Sequence, residues 1–340
     1  MDFDAILQAA RTVHASDIHL CPNQPIRVRV AGRLQSLDVP IFGIESLQDW
    51  LKSNLTEQQY AAWLARVQVD FAIHDVESAA RLSIYPTHDG TAVAVRLLPK
   101  MPPTLAELGA PEFIETLSPT RHGLVLVTGA TGSGKSTTMA SWIAHVNRLY
   151  DAHILTLEDP IEYFFKSDRC LIRQTELDKD TDYNTALRDA LRRDPDAIVM
   201  GELRDLASIE MALRAAETGH LVIATLHSSN AVGAVARLID VFPSESKSFV
   251  RHVLSNVLLG VVAQRLVHCN TNVRNGGRIA TYEVLTCTAA VKNLIKEAKE
   301  AQLSAVMQSS AAHQMFTFSQ HFQKLLDAHL VEGPMPIGSS

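Results

Sequence analysis

Eight residues, Gly129-Ala-Thr-Gly-Ser-Gly134-Lys135-Ser136, carry the most specific chemistry in the chain. They satisfy the pattern G-x-x-x-x-G-K-[ST], in which glycines let backbone N–H groups turn inward on an anion. The apolar run Leu124 to Val127 precedes them and a helical pattern follows, so a strand, a glycine-rich loop and a helix start occur in the order that phosphate binding needs. Gly129, Ala130, Thr131, Gly132, Ser133, Gly134, Lys135, Ser136 and Thr137 are therefore the expected contacts to the phosphates of ATP. Lys135 is expected to reach the β and γ phosphates, and Ser136 to hold Mg²⁺.

Phosphoryl transfer to water also needs a metal shell, an oriented water and positive charge on the transition state. Three other stretches supply candidates at the ends of apolar runs. The run His153 to Leu157 leads into Glu158-Asp159-Pro160-Ile161-Glu162, and Glu158 there is placed to reach the metal or its waters. Ala197 to Met200 leads into Gly201-Glu202-Leu-Arg204-Asp205; Glu202 is the natural residue to deprotonate or orient the attacking water, and Asp205 the natural cap of the helix that follows. His220 and His227 bracket the run Leu221 to Leu226, where each can act as a neutral donor or a protonated partner.

The elements that must hold these groups read as an alternation. Strands over 124–128, 153–157, 197–200 and 221–226 alternate with helices over 135–149, 183–191 and 206–217. Near-continuous apolar strands imply a sheet covered on both faces, hence an α/β nucleotide-binding domain. Helical spacing then runs from Ala231 to Leu259, followed by strands over 261–267 and 279–284 and a helical cluster over 289–330. The first hundred residues differ. A helix over 4–14, a hairpin of strands 26–30 and 33–37, helices near 47–51 and 56–64, and strands 67–73, 80–85 and 92–98 describe a small α+β domain with an antiparallel sheet. Pro99-Lys-Met-Pro-Pro103 cannot continue a helix or a ladder, so the boundary is placed there. The expected division is 1–98 for the first domain, 99–111 for a linker that lets two rigid bodies pivot, and 112–340 for the second.

Composition narrows the class. With 340 residues, 46% of them hydrophobic and 20% charged, the chain has enough apolar material for two cores. Its 31 basic against 37 acidic residues leave a net charge of −6, which disfavours nucleic acid as a partner. The four cysteines, Cys21, Cys170, Cys269 and Cys287, form no C-x-x-C pair and suit a reducing cytoplasm. The N-terminal stretch lacks the features of a signal peptide, and no apolar run is long enough to span a bilayer, so no direct membrane insertion is expected.

Together these stretches resemble the type II/IV secretion ATPase superfamily, and most closely the type IV pilus retraction ATPases of the PilT type. Ala15-Ser-Asp-Ile-His-Leu20 resembles that family's ASD(L/I)HL segment, and LEDPIE at 157–162 its aspartate box. DPDAIVMGELRD at 194–205 resembles its Gly-Glu form of Walker B, and AAETGHLVIATLHSS at 215–229 its histidine box. Ala290 to Glu297, AVKNLIKE, is similar to the retraction signature AIRNLIRE, with Lys292 and Lys296 in place of arginines.

The resemblance implies a PAS-like domain joined to a RecA-like P-loop ATPase domain, assembled as a homo-hexamer. It implies a cytoplasmic motor that works at the inner membrane through a pilus or secretion platform protein, beside a paralogous ATPase in some systems, and drives twitching motility. It further implies that Glu202 is the water-activating base, that Glu158 supports Mg²⁺, and that His227 and His220 sense the γ phosphate. Arg81 and Arg96 of the first domain would bring charge to the nucleotide. An export ATPase of a type II or type IV secretion system, an accessory paralogue or scaffold with little turnover, and a DNA-pumping ring are the competing readings.

Overall fold

A computed structural model of the chain describes residues 3–30, 32–74, 79–98, 101–119, 121–177, 183–270 and 277–335. The end of the C-terminal tail, parts of the proline-rich linker and Ala31 of the first hairpin turn lie outside the described residues. The chain divides into two compact units, Met1–Met101 and Pro102–Ser340.

Unit 1 comprises α1 (Phe3–Thr12), β1 (Asp17–Leu20), β2 (Arg27–Val30), β3 (Arg33–Ser36), α2 (Ile44–Asn54), α3 (Glu57–Leu64), β4 (Val69–His74), β5 (Ala79–Thr87) and β6 (Gly90–Leu98). The strands form one antiparallel sheet in the order β3-β2-β1-β6-β5-β4. Phe3, Ile6, Leu7 and Ala10 fall at helical spacing on α1 and are buried, as are Leu47 and Leu51 of α2. They pack with Ile18, Val28, Leu82, Ile84, Val93 and Val95 from alternate strand positions. Phe3 also stacks on Trp50, with ring centroids 4.0 Å apart. Thr56 and Gln59 close a capping box at the start of α3, a device worth about 1 kcal/mol.

Unit 2 opens with two short helices, α4 (Leu105–Leu108) and α5 (Glu112–Glu115). Then come β7 (Gly123–Thr128), α6 (Lys135–Leu149), β8 (His153–Glu158), β9 (Leu171–Glu176), α7 (Tyr183–Ala190), β10 (Ala197–Glu202), α8 (Leu206–Glu217), β11 (Leu221–Leu226), α9 (Ala231–Asp240) and α10 (Lys247–Val257). The chain ends with β12 (Leu258–His268), β13 (Arg278–Thr286), α11 (Ala289–Lys296), α12 (Leu303–Ser309) and α13 (Phe318–Asp327). Seven strands form a sheet in the order β13-β12-β7-β11-β10-β8-β9, with every pairing parallel except β12 with β13.

Period-two alternation sends Leu124 and Leu126 of β7 to one core, with α8, α9 and α10 residues such as Ile209, Leu238 and Leu254. Val125 and Val127 go to the other, with Met139, Trp142 and Ile143 of α6. Helices therefore cover both faces of the parallel part. Because β7, β11, β10 and β8 run in one direction, their C-terminal ends all open on the same edge, where α/β folds place their ligands.

Several elements depart from what the sequence leads one to expect, and the short helices α4 and α5 are among them. β1 and β9 were not among the expected strands. The helical pattern expected to reach Leu259 instead stops at Val257, and the chain passes directly into β12. An apolar run suits either a buried helix or a buried strand, and here the pairing of β12 with β7 decides it.

Candidate active site

The end of β7 delivers the glycine-rich loop. Gly129, Gly132 and Gly134 have φ of 153°, 78° and 91°, backbone that favours glycine. A Cβ on Gly129 would lie 2.3 Å from the Gln264 carbonyl oxygen and 2.5 Å from Ser133 Oγ, so this position needs glycine on space as well. Across the same gap Gln264 of β12 accepts a 2.7 Å hydrogen bond from Thr138 in the first turn of α6. The loop and helix start are thus fastened to the neighbouring strand.

Lys135 is only 8% exposed, and its ammonium donates to the carbonyls of Gly129, at 2.8 Å, and Ala130, at 3.0 Å. Burial lowers its pKa, while the nearby Glu202 and Glu162 carboxylates oppose that shift. Facing it is a cavity of about 610 Å³, lined among others by Thr131, Gly132, Lys135, Ser136, Glu158, Glu202 and His227.

β10 ends in Glu202, whose carboxylate is bracketed by two donors. Arg204 Nε lies 2.9 Å from Oε2 and His227 Nε2 lies 3.1 Å from Oε1. Arg204 also reaches Asp159 at 3.2 Å, linking the ends of β8 and β10. The pKa of Arg204 is raised, first by the hydrogen bond to Glu202. Thr225 Oγ1 donates to the Gly201 carbonyl and helps hold β10 against β11. As expected, Asp205 caps α8, accepting from Ser208 N at 2.8 Å.

β8 ends in Glu158, which accepts from Thr156 Oγ1 at 2.6 Å and from Gln174 Nε2 at 3.1 Å. Burial raises its pKa, and those two hydrogen bonds and one from the Glu162 backbone N–H work against the rise. Tyr163, further along the same loop, meets Thr137 Oγ1 at 3.2 Å and so ties the acidic loop to the start of α6.

His227 joins the cavity, with its carbonyl held by Arg237 at 2.8 Å. His220 does not. It precedes β11, and its carbonyl accepts from Gly123 N at 3.0 Å, at the opposite end of the strand from the phosphate loop. Its ring faces the Ala215 carbonyl and Thr218 at 3.1 and 3.2 Å. The expectation that His220 senses the γ phosphate is corrected on that ground: six strand residues, roughly 20 Å at 3.3 Å each, separate it from the loop.

In unit 1, Arg81 and Arg96 are directly cross-strand, and Arg96 pairs with Asp17 at 3.1 Å. Three residues that the sequence reading did not single out are part of the constellation: Arg204, Tyr163 and Gln174. Arg204 and Tyr163 were signalled by their place within or just after the two acidic segments. Gln174 had no such signal.

The donor set suits a hard cation. Ser136 and Glu158 line one cavity and offer a hydroxyl and a carboxylate, as Mg²⁺ bound together with phosphates prefers. Among the described residues no group of three or more His, Cys, Asp or Glu side chains is placed to hold a metal ion by itself, so the phosphates would have to complete the shell.

A family model for type II/IV secretion system proteins matches residues 1–328. The chain belongs to that family. It is 43% identical over 325 residues to the uncharacterised Escherichia coli protein YggR, covering 95% of this chain and 98% of that one. To the type IV pilus retraction ATPase PilT of Pseudomonas aeruginosa it is 37% identical, covering 97% of this chain and 96% of the relative. The crystal structure of the pilus retraction motor PilT with bound ADP superposes with a TM-score of 0.87 at 39% identity, over 98% of this chain and 95% of that one. The PilT-type resemblance read from the motifs is borne out, as is the order of a small N-terminal domain and a sheet-based ATPase domain.

Proposed function

We propose that this protein is an ATP-hydrolysing motor for type IV pilus retraction. The observation that carries the reading is the meeting of Lys135, Ser136, Glu158, Glu202 and His227 around one cavity at the C-terminal edge of a parallel sheet. Lys135 and the N–H groups of the loop hold the β and γ phosphates. Glu202, oriented by Arg204 and His227, takes the proton of the attacking water. His227 is proposed to sense the γ phosphate by giving up its 3.1 Å contact with Glu202. Ser136 and Glu158 hold Mg²⁺, which supplies charge neutralisation on the phosphates when bound. Arg81 and Arg96 are proposed to add charge to the transition state.

The domain limits of 1–98, 99–111 and 112–340, a PAS-like identity for the first, and a homo-hexamer acting on an inner-membrane platform belong to the same proposal. So does work at the cytoplasmic face. No helix among the described residues is long and apolar enough to cross a membrane. The free energy of hydrolysis enters as differential affinity for two arrangements of the motor.

The test has a biochemical and a cellular arm. Lys135→Ala should abolish ATP binding in the purified protein. Deletion of the gene should leave cells with surface pili in excess and without surface motility. Unchanged pilus number and motility in the deletion strain would reject retraction.

A further inference from the structure

We propose that Gln174, on the edge strand β9, is a positioning residue that fixes Glu158 and the loop bearing it against the phosphate loop. This inference rests on the ATPase reading of the site.

The loop after β8 runs across the cavity wall without pairing to a strand, so its backbone groups need other partners. Side chains of β9 provide them at alternate loop residues. Glu176 Oε2 accepts from Ile161 N at 3.1 Å. Gln174 Nε2 donates to the Tyr163 carbonyl at 2.8 Å, and its Oε1 accepts from Phe165 N at 2.9 Å. The remaining Nε2 hydrogen reaches Glu158 Oε1 at 3.1 Å. One neutral amide therefore serves two loop positions and the carboxylate at once.

Parallel pairing sets this reach, with Thr156 opposite Gln174 and Glu158 opposite Glu176 in the β8–β9 register. The strap continues to the nucleotide side, because the phenol of Tyr163 meets Thr137 in the first turn of α6. A carboxylate at position 174 would keep the acceptor for Phe165, lose both donors and face Glu158 with like charge. An apolar side chain would leave Glu158 one donor short and the Tyr163 carbonyl and Phe165 N–H without partners. Either change loosens the metal-side carboxylate while leaving the glycine-rich loop and Lys135 as they are.

The experiment is a double-mutant cycle on the full chain with wild type, Gln174→Met, Glu158→Gln and the double variant. ATP turnover at saturating Mg²⁺ and the affinity for a fluorescent ATP analogue are measured for each. Gln174→Met should lower kcat tenfold or more and leave the analogue's Kd within about threefold. In the Glu158→Gln background it should lower kcat by less than about twofold, because both changes act on one carboxylate. A general loss of packing would instead multiply with Glu158→Gln and weaken nucleotide binding too.

Wild-type kcat in Gln174→Met, or full multiplication of the two effects, overturns the inference and leaves the ATPase reading standing. Absence of turnover in the wild type removes that reading, and the inference with it. If Gln174→Met fails to fold, Gln174→Glu runs the same cycle with side-chain size retained.

Discussion

Gly129→Ala is a sharp physical test of the phosphate loop, because Gly132→Ala provides its internal control. At Gly129 the added methyl meets the backbone oxygen of Gln264 at 2.3 Å and Ser133 Oγ at 2.5 Å, whereas at Gly132 nothing lies within 4 Å. Both positions have positive φ, so both substitutions carry backbone strain, roughly 1–2 kcal/mol at Gly132 and about 1–3 kcal/mol at Gly129. Gly129 alone adds overpacking of about 1–3 kcal/mol, since the obstacle is main chain of Gln264, paired with Tyr282 in β13, and cannot swing aside. The difference between the two variants should therefore be about 1–3 kcal/mol. It should emerge as lower stability in chemical denaturation, or as a displaced loop with ATP affinity weakened by roughly 10- to 100-fold, at 1.4 kcal/mol per tenfold. Gly129→Ala matching Gly132→Ala in both stability and nucleotide affinity would refute the close approach of this loop to β12.

Other perturbations separate structure from chemistry. Glu283 is buried and accepts from Ala231 N at 2.8 Å and Phe318 N at 3.4 Å, serving the first turns of α9 and α13; Glu283→Ala should destabilise by roughly 2–4 kcal/mol in a urea titration. Burial raises the folded pKa of Glu283 above the ordinary 4.5, so its contribution is full below about pH 4.5 and is lost as pH rises through the folded value. Glu283→Gln should accordingly show a flatter stability profile above pH 4.5 than wild type. Arg204 is 62% exposed in its pairs, so Arg204→Gln should change stability by less than about 1 kcal/mol, yet lower ATP turnover tenfold or more by releasing Glu202.

The glycine-rich loop, the ends of β8 and β10 and His227 were legible because each carries a chemical residue type at the end of an apolar run, and parallel strands bring those ends together. The same rule explains the failure at His220. Both histidines bracket one strand, and a strand has two ends; only the one after Leu226 shares an edge with the loop. β9 was invisible for a different reason. Leu171-Ile-Arg-Gln-Thr-Glu176 has two apolar residues in six, as an edge strand does when its side chains serve a neighbouring loop. Gln174 could not be singled out without the pairing that sets it beside Thr156 and Glu158. The passage from α10 to β12 was unreadable because both elements are buried there, so composition carries no period to tell them apart.

The central claim is that Glu202 activates water at a site that binds ATP through other residues. Its most direct test is nucleotide affinity and phosphate release measured together for wild type and Glu202→Gln. ATP affinity within about threefold of wild type, with hydrolysis reduced roughly 10²-fold or more, is the predicted result. Hydrolysis at near wild-type rate in Glu202→Gln would contradict it.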